Sequence, residues 1–180
     1  MTKIINLFGG PGIGKSSIAA GITYKLKKKH ISCNSPYEFP KVLAWDNNME
    51  ATRDQLFVLA NQHRGIAQSY GKVDYIVIDS PVLFSLIYKT LYDTGYPANF
   101  YSDSFNQMVL DLHNKYDNIN ILLERSIKNK KNYNEKERYQ TLEESKRIDG
   151  YCKKVLEENT IPFHTIKVGK NTVKKILKLL

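Results

Sequence analysis

Cysteine is scarce. Cys33 and Cys152 are the only two in 180 residues, they lie far apart, and neither has a CxxC partner. A disulfide framework and a zinc knuckle are therefore excluded, and both thiols are expected to be reduced bystanders. Long apolar runs are missing too. No stretch approaches the roughly 18 residues that span a bilayer. The N-terminus meets Lys3 and then a glycine loop where a signal peptide would have its apolar core, so the chain is expected in the cytoplasm, away from membranes. Internal repeats are absent. Apolar residues as such are not in short supply: 42% hydrophobic against 25% charged places the sequence among folded soluble proteins and excludes intrinsic disorder. Its length suits one domain spanning residues 1–180.

Acidic residues are absent from both ends. Residues 1–29 hold six lysines and no acid, and residues 161–180 hold five and none; the stretch 30–124 is net −5, residues 125–160 net +3, and the whole chain +9. Such an excess suits a nucleic-acid partner, a phosphate-rich small substrate or a solvated surface. A face built to grip a duplex could draw on every part of the fold, whereas the middle of this chain is net acidic. Lys25, Lys27, Lys28 and Lys29 fall in what reads as the last turn of a helix, where cations meet the negative end of the helix dipole.

Lys3 to Phe8 reads as a short buried strand, followed by a glycine loop and a helix from about Lys15 to Lys29. A second strand is expected over Ile31 to Phe39, then one long helix from Met49 to Tyr70 stopped by Gly71. Further strands are expected at Val73 to Asp79, Ile119 to Glu124 and Phe163 to Val168, with helical patterns between them. Apolar strands alternating with helices imply a parallel sheet covered on both faces, because parallel neighbours need crossover connections. The expected fold is thus α/β, three layers with a five-stranded parallel sheet. Residues 125–140 are polar, basic and rich in Asn, and read as a lid. Thr141 and Glu144 form a capping-box pattern that starts the next helix.

Gly9-Gly10-Pro11-Gly12-Ile13-Gly14-Lys15-Ser16 matches G-x-x-x-x-G-K-[ST] between an expected strand and an expected helix, the context that gives this phosphate loop its meaning. Backbone N–H groups of Gly10, Gly12, Ile13, Gly14, Lys15, Ser16 and Ser17 are candidates to cradle phosphates at a helix N-terminus. Lys15 would hold the β- and γ-phosphates and Ser16 a magnesium ion. A nucleoside triphosphate is the expected ligand, ATP with magnesium foremost.

Motor ATPases follow the magnesium-side Asp with a Glu that polarises water, whereas here the third strand ends Ile78-Asp79-Ser80-Pro81. Asn114-Lys115-Tyr116-Asp117 matches the guanine-reading N-K-x-D pattern. It precedes a strand instead of ending one, and Asp79 lacks the D-x-x-G glycine. Phosphoryl transfer to another molecule is left, which needs a phosphate clamp, magnesium, an acceptor pocket and a closing lid.

The chain resembles the phosphate-loop kinases that act on nucleosides and nucleotides. In particular it is similar to small AAA-type ATP-binding proteins common in phages and to the kinase domains of nicotinamide riboside kinases; a phage origin would put it in the host cytoplasm. The resemblance rests on Gly9 to Ser17, Asp54-Gln55-Leu56, Asp79-Ser80-Pro81, Leu123-Glu124-Arg125, Tyr133-Asn134 and Arg138 to Glu144. Glu137 stands where the family usually has Gly. The resemblance implies that Glu38, ending the second strand, orients or deprotonates a sugar hydroxyl, and that Gly169 to Thr172 meets the adenine edge.

Asp79 sits at a strand's carboxyl end, where doubly wound sheets bind ligands. It is a candidate for the magnesium water shell or for accepting the acceptor's proton. Arg125 and Arg138 bracket the lid and suit bidentate contact with phosphate oxygens. Trp45, Phe57, Tyr88, Tyr92, Tyr96, Phe100 and Tyr101 are candidate stacking partners for a base; Arg53, Gln62 and Arg64 are candidates for the acceptor's polar groups. The expected activity is magnesium-dependent transfer from ATP to a nucleoside or nucleotide. A kinase acting on nucleic acid, at a 5′ end or a modified base, and a nucleotide-dependent binding switch remain the alternatives.

Overall fold

The computed structural model describes residues 1–46, 48–92, 103–126 and 141–180. Strand β1 (Lys3–Phe8) leads through the glycine loop into helix α1 (Lys15–Lys28) and the short edge strand β2 (Cys33–Asn34). Helices α2 (Phe39–Trp45), α3 (Met49–Arg53) and α4 (Gln55–Ser69) precede β3 (Tyr75–Ile78). Then come α5 (Phe84–Tyr92), α6 (Asp103–Asn114), β4 (Asp117–Glu124), α7 (Leu142–Glu158), β5 (His164–Lys167) and α8 (Thr172–Ile176).

The five strands form one sheet in the order β2-β3-β1-β4-β5. Every pairing is parallel, with Ile5 opposite Val77 on one side and Ile119 on the other. Side chains alternate across a strand, so β1 feeds two cores. Ile4 and Phe8 pack with apolar residues of α4, α5, α6 and α7 on one face. Ile5 and Leu7 pack with α1 and α8 on the other. Burial on both faces is why β1 reads as an almost unbroken apolar run. Its buried polar member, Asn6, donates to the side-chain oxygens of Asn118 (2.9 Å) and Asn120 (3.1 Å), which removes the cost of burying it.

Two expected elements came out differently. The second strand ends at Asn34, not Phe39. Pro36 lacks the N–H a ladder needs, and the chain turns into α2 at Phe39, with Pro40 in the first turn, where proline is tolerated. The single long helix is broken at Asp54, whose ψ of 89° ends α3 while its carboxylate accepts the Phe57 N–H (3.0 Å) and starts α4. An N-cap Asp inside a helical pattern was the signal. The Thr141–Glu144 capping box is formed as expected. Asp117 of N-K-x-D opens β4, so that motif lies at the start of a strand.

Candidate nucleotide-binding site

Because all five strands run parallel, every segment that follows a strand emerges at one edge of the sheet. That edge gathers the glycine loop after β1, Glu38 beyond β2, Asp79 directly after β3, Arg125 directly after β4 and Gly169 beyond β5. Neighbouring strands β3, β1 and β4 put Asp79, the loop and Arg125 side by side.

The loop is shaped by two different demands on glycine. Gly14 has φ 103° and serves as N-cap of α1 without a side chain to cap it, so the first amides of the helix point outward as donors. Gly10 has no such backbone demand. A Cβ built there would stand 2.2 Å from the Ser145 carbonyl oxygen and 3.0 Å from Asp149 Oδ1, so the loop lies directly against α7.

Lys15 Nζ donates to the carbonyl oxygens of Gly9 (2.7 Å) and Gly10 (3.2 Å), arching back over its own loop, and lies 5.4 Å from the centre of the Phe84 ring. Burial pushes the Lys15 ammonium below its ordinary range, and the Glu38, Asp79 and Asp149 carboxylates act against that shift. Glu38 and Asp79 thus both lie within the electrostatic reach of Lys15, although they follow different strands. Ser16 and Ser17 are exposed in the first turn of α1.

Arg125 is placed against the loop. Its side chain is only 7% exposed. Nε donates to Asp149 Oδ2 (2.5 Å), and Nη2 donates to the Pro11 carbonyl (2.7 Å) and to Ser145 Oγ. The Gly10 N–H donates to Asp149 Oδ1 (2.6 Å) and so is turned toward α7. Sequence reasoning missed Asp149, Ser145 and Phe84. The available signal was the i, i+4 pair of polar residues Ser145 and Asp149 on the buried stripe that also holds Ile148 and Cys152.

Gln62 is buried and donates from Nε2 to Ser80 Oγ (2.8 Å), bracing the turn after β3. Arg53 and Arg64 are exposed. Tyr88 packs edge-on against Phe84 (6.0 Å) as part of the core. Trp45 is 65% exposed, 6.2 Å from Tyr37; Phe57 is also exposed, 5.2 Å from Phe39. Gly169 and Thr172 close a tight turn at the start of α8. Arg138, Tyr96, Phe100, Tyr101 and residues 127–140 of the expected lid lie outside the described residues, as does the Tyr92 side chain. No described helix is long and apolar enough to cross a membrane.

Residues 4–174 match the family described as an AAA domain. The chain belongs to that family. No curated protein matches it in sequence. Among solved structures, deoxyadenosine kinase from M. mycoides with bound dATP superposes with a TM-score of 0.65 at 22% identity, covering 98% of both chains. NadR protein in complex with NR gives a TM-score of 0.64 at 13% identity over 95% of this chain and 45% of its own. Thymidylate kinase from Ehrlichia chaffeensis gives 0.59 at 12% identity over 99% and 98%. This chain shares its α/β phosphate-loop fold with these three structures.

Proposed function

We propose that this protein transfers the γ-phosphoryl group of ATP, with magnesium, to a nucleoside or nucleotide. The observation that carries the reading is the glycine loop that opens a helix with Lys15 arched over its Gly9 and Gly10 carbonyls, the Glu38 and Asp79 carboxylates lying within electrostatic reach of the same ammonium. The fold shared with a deoxyadenosine kinase and a thymidylate kinase supports it.

The donor set suits a triphosphate. Outward amides at the start of α1, together with those of Gly12 and Ile13, would hold its phosphates. Lys15 would exchange its two carbonyl partners for phosphate oxygens. Ser16 and Asp79 would hold magnesium, which when bound neutralises developing charge on the phosphates. A magnesium ion of this kind needs only one or two protein oxygens because phosphates and water complete its shell.

Glu38 would orient the acceptor hydroxyl and receive its proton. Arg138, from the lid, would meet the transferring group, while Arg125 acts from behind the loop. Exposed Trp45 and Phe57 would offer ring faces near the acceptor. Catalysis would then consist of positioning and charge stabilisation, the terms that dominate phosphoryl transfer.

The test is transfer of labelled γ-phosphate from ATP to nucleosides, nucleotides, nicotinamide riboside and DNA oligomers with and without modified bases. Label on a small molecule is expected, and Lys15→Ala is expected to abolish it while leaving the circular-dichroism spectrum unchanged. Label on DNA alone, with the steep salt dependence of counterion release, would replace this reading with a nucleic-acid kinase. Tight ATP binding without any labelled product would replace it with a binding switch.

A further inference from the structure

The front of the phosphate loop is held by residues that come from the other end of the chain. Asp149, on the buried side of α7, accepts the Gly10 N–H with one carboxylate oxygen and the Arg125 Nε–H with the other. Arg125 in turn holds the Pro11 carbonyl, which also accepts from Ser145 Oγ. Two consecutive loop residues are thus tied to α7, one through its donor and the next through its acceptor. The close approach of Gly10 to the Ser145 carbonyl is a separate observation that places the loop against the same turn of the helix.

We propose that Asp149 is a positioning residue for nucleotide binding, holding Gly10 directly and Pro11 through Arg125 so that the loop is open before a triphosphate arrives. Gly9, Gly10, Gly12 and Gly14 make this segment unusually costly to order. Anchoring its first half in the free protein removes part of that cost from the binding step. A bare carboxylate beside a phosphate site would repel the ligand. Here Arg125, itself nine-tenths buried, balances the charge while keeping both oxygens occupied. Asn would not serve as well, because it is uncharged and offers one acceptor oxygen where two donors are met by two separate oxygens.

This inference rests on the proposed ATP site, and the experiment separates the two. ATP binding to the full chain is measured by calorimetry, urea unfolding is followed in parallel, and transfer kinetics are recorded with each substrate varied. Asp149→Asn is expected to weaken ATP binding roughly tenfold to hundredfold, the loss expected from hydrogen bonds to a charged group. The acceptor KM and the kcat at saturating ATP should move by less than about threefold, because uniform binding is what is lost. The double variant Arg125→Met with Asp149→Leu supplies the control for stability. Replacing a buried ion pair by apolar residues of similar size is often neutral or stabilising, so it should unfold at the wild-type urea concentration or above and still bind ATP roughly tenfold more weakly or worse.

Either folded variant binding ATP with wild-type affinity overturns the role given to Asp149. So does an affinity that falls only in step with the unfolded fraction. If the wild-type chain binds no ATP, the proposed function and this inference fall together. If it binds ATP and transfers phosphate while Asp149→Asn behaves as wild type, only this inference falls.

Discussion

Gly10→Ala tests whether the loop is shaped by its contact with α7 or only by its own backbone. The new methyl group would sit 2.2 Å from the Ser145 carbonyl oxygen, 2.8 Å from Ser145 Oγ and 3.0 Å from Asp149 Oδ1. The first distance is roughly 1 Å or more inside ordinary van der Waals contact. Its partner is backbone in the first turns of a 17-residue helix, so no rotamer change relieves it. The loop must lift, which stretches the 2.6 Å bond from Gly10 N–H to Asp149. Overpacking of this kind costs about 1–3 kcal/mol, and a backbone partner puts the cost near the top of that range. Urea unfolding followed by far-ultraviolet circular dichroism is the assay, since the single tryptophan, Trp45, is too exposed to report on the core. With a slope of about 1–3 kcal/mol per molar urea, the midpoint should fall by about 1 M or more. Ser145→Ala added to Gly10→Ala should not restore it, because the carbonyl remains. Gly14→Ala is the comparison: its Cβ meets open space, so only the left-handed backbone is strained, at about 1–2 kcal/mol. A Gly10→Ala midpoint equal to the wild type would refute the packing of the loop on α7.

Burial pushes the His113 pKa down to about 4 from 6.5. The native state therefore favours the neutral ring, so stability is present above about pH 6.5 and is lost as the pH falls toward 4. About 2 kcal/mol should disappear between pH 7 and pH 5, and His113→Gln should flatten that slope in urea unfolding. Buried Cys152 has its thiol pushed up to about 12, and burial also raises Cys33; a thiol reagent at pH 7 should label neither in the folded chain and both in urea. Reaction of Cys152 in the native state would show that α7 does not pack on the loop. Thr141→Ala removes the acceptor for the Glu144 N–H and half of the capping box, and should cost about 1 kcal/mol in the same unfolding measurement.

Much of the fold was legible because it depends on local pattern. Strands buried on both faces are short apolar runs, α1 announces itself after a glycine loop, and Thr141 to Glu144 spells out a helix start. The phosphate loop was legible for the same reason: its glycines, lysine and serine act through consecutive backbone. Where local signals competed, the reading failed. Pro36 ended an edge strand that the apolar pattern alone would have continued, and Asp54 capped a helix within what looked like one periodic stretch. Tyr88, a candidate stacking partner in the sequence, packs edge-on against Phe84 at the margin of the core, a contact the sequence did not announce.

The glycine loop with its lysine and serine, between the first strand and first helix, was readable from the chain alone, since every group of that motif is a neighbour in the chain. The sequence also supplied Asp79 as a candidate through its place at a strand's end, and Glu38 through an expected strand that in fact stops at Asn34. What surrounds the loop depends on packing. The order β2-β3-β1-β4-β5 brings Asp79 and Arg125 to its two sides, and α7 brings Ser145 and Asp149 beneath Gly10 and Pro11. Arg125 accordingly faces the loop backbone. No spacing in the sequence encodes that contact, because it joins residues more than a hundred positions apart through side-chain charge and a missing Cβ, and both are set only when the sheet and its helices pack.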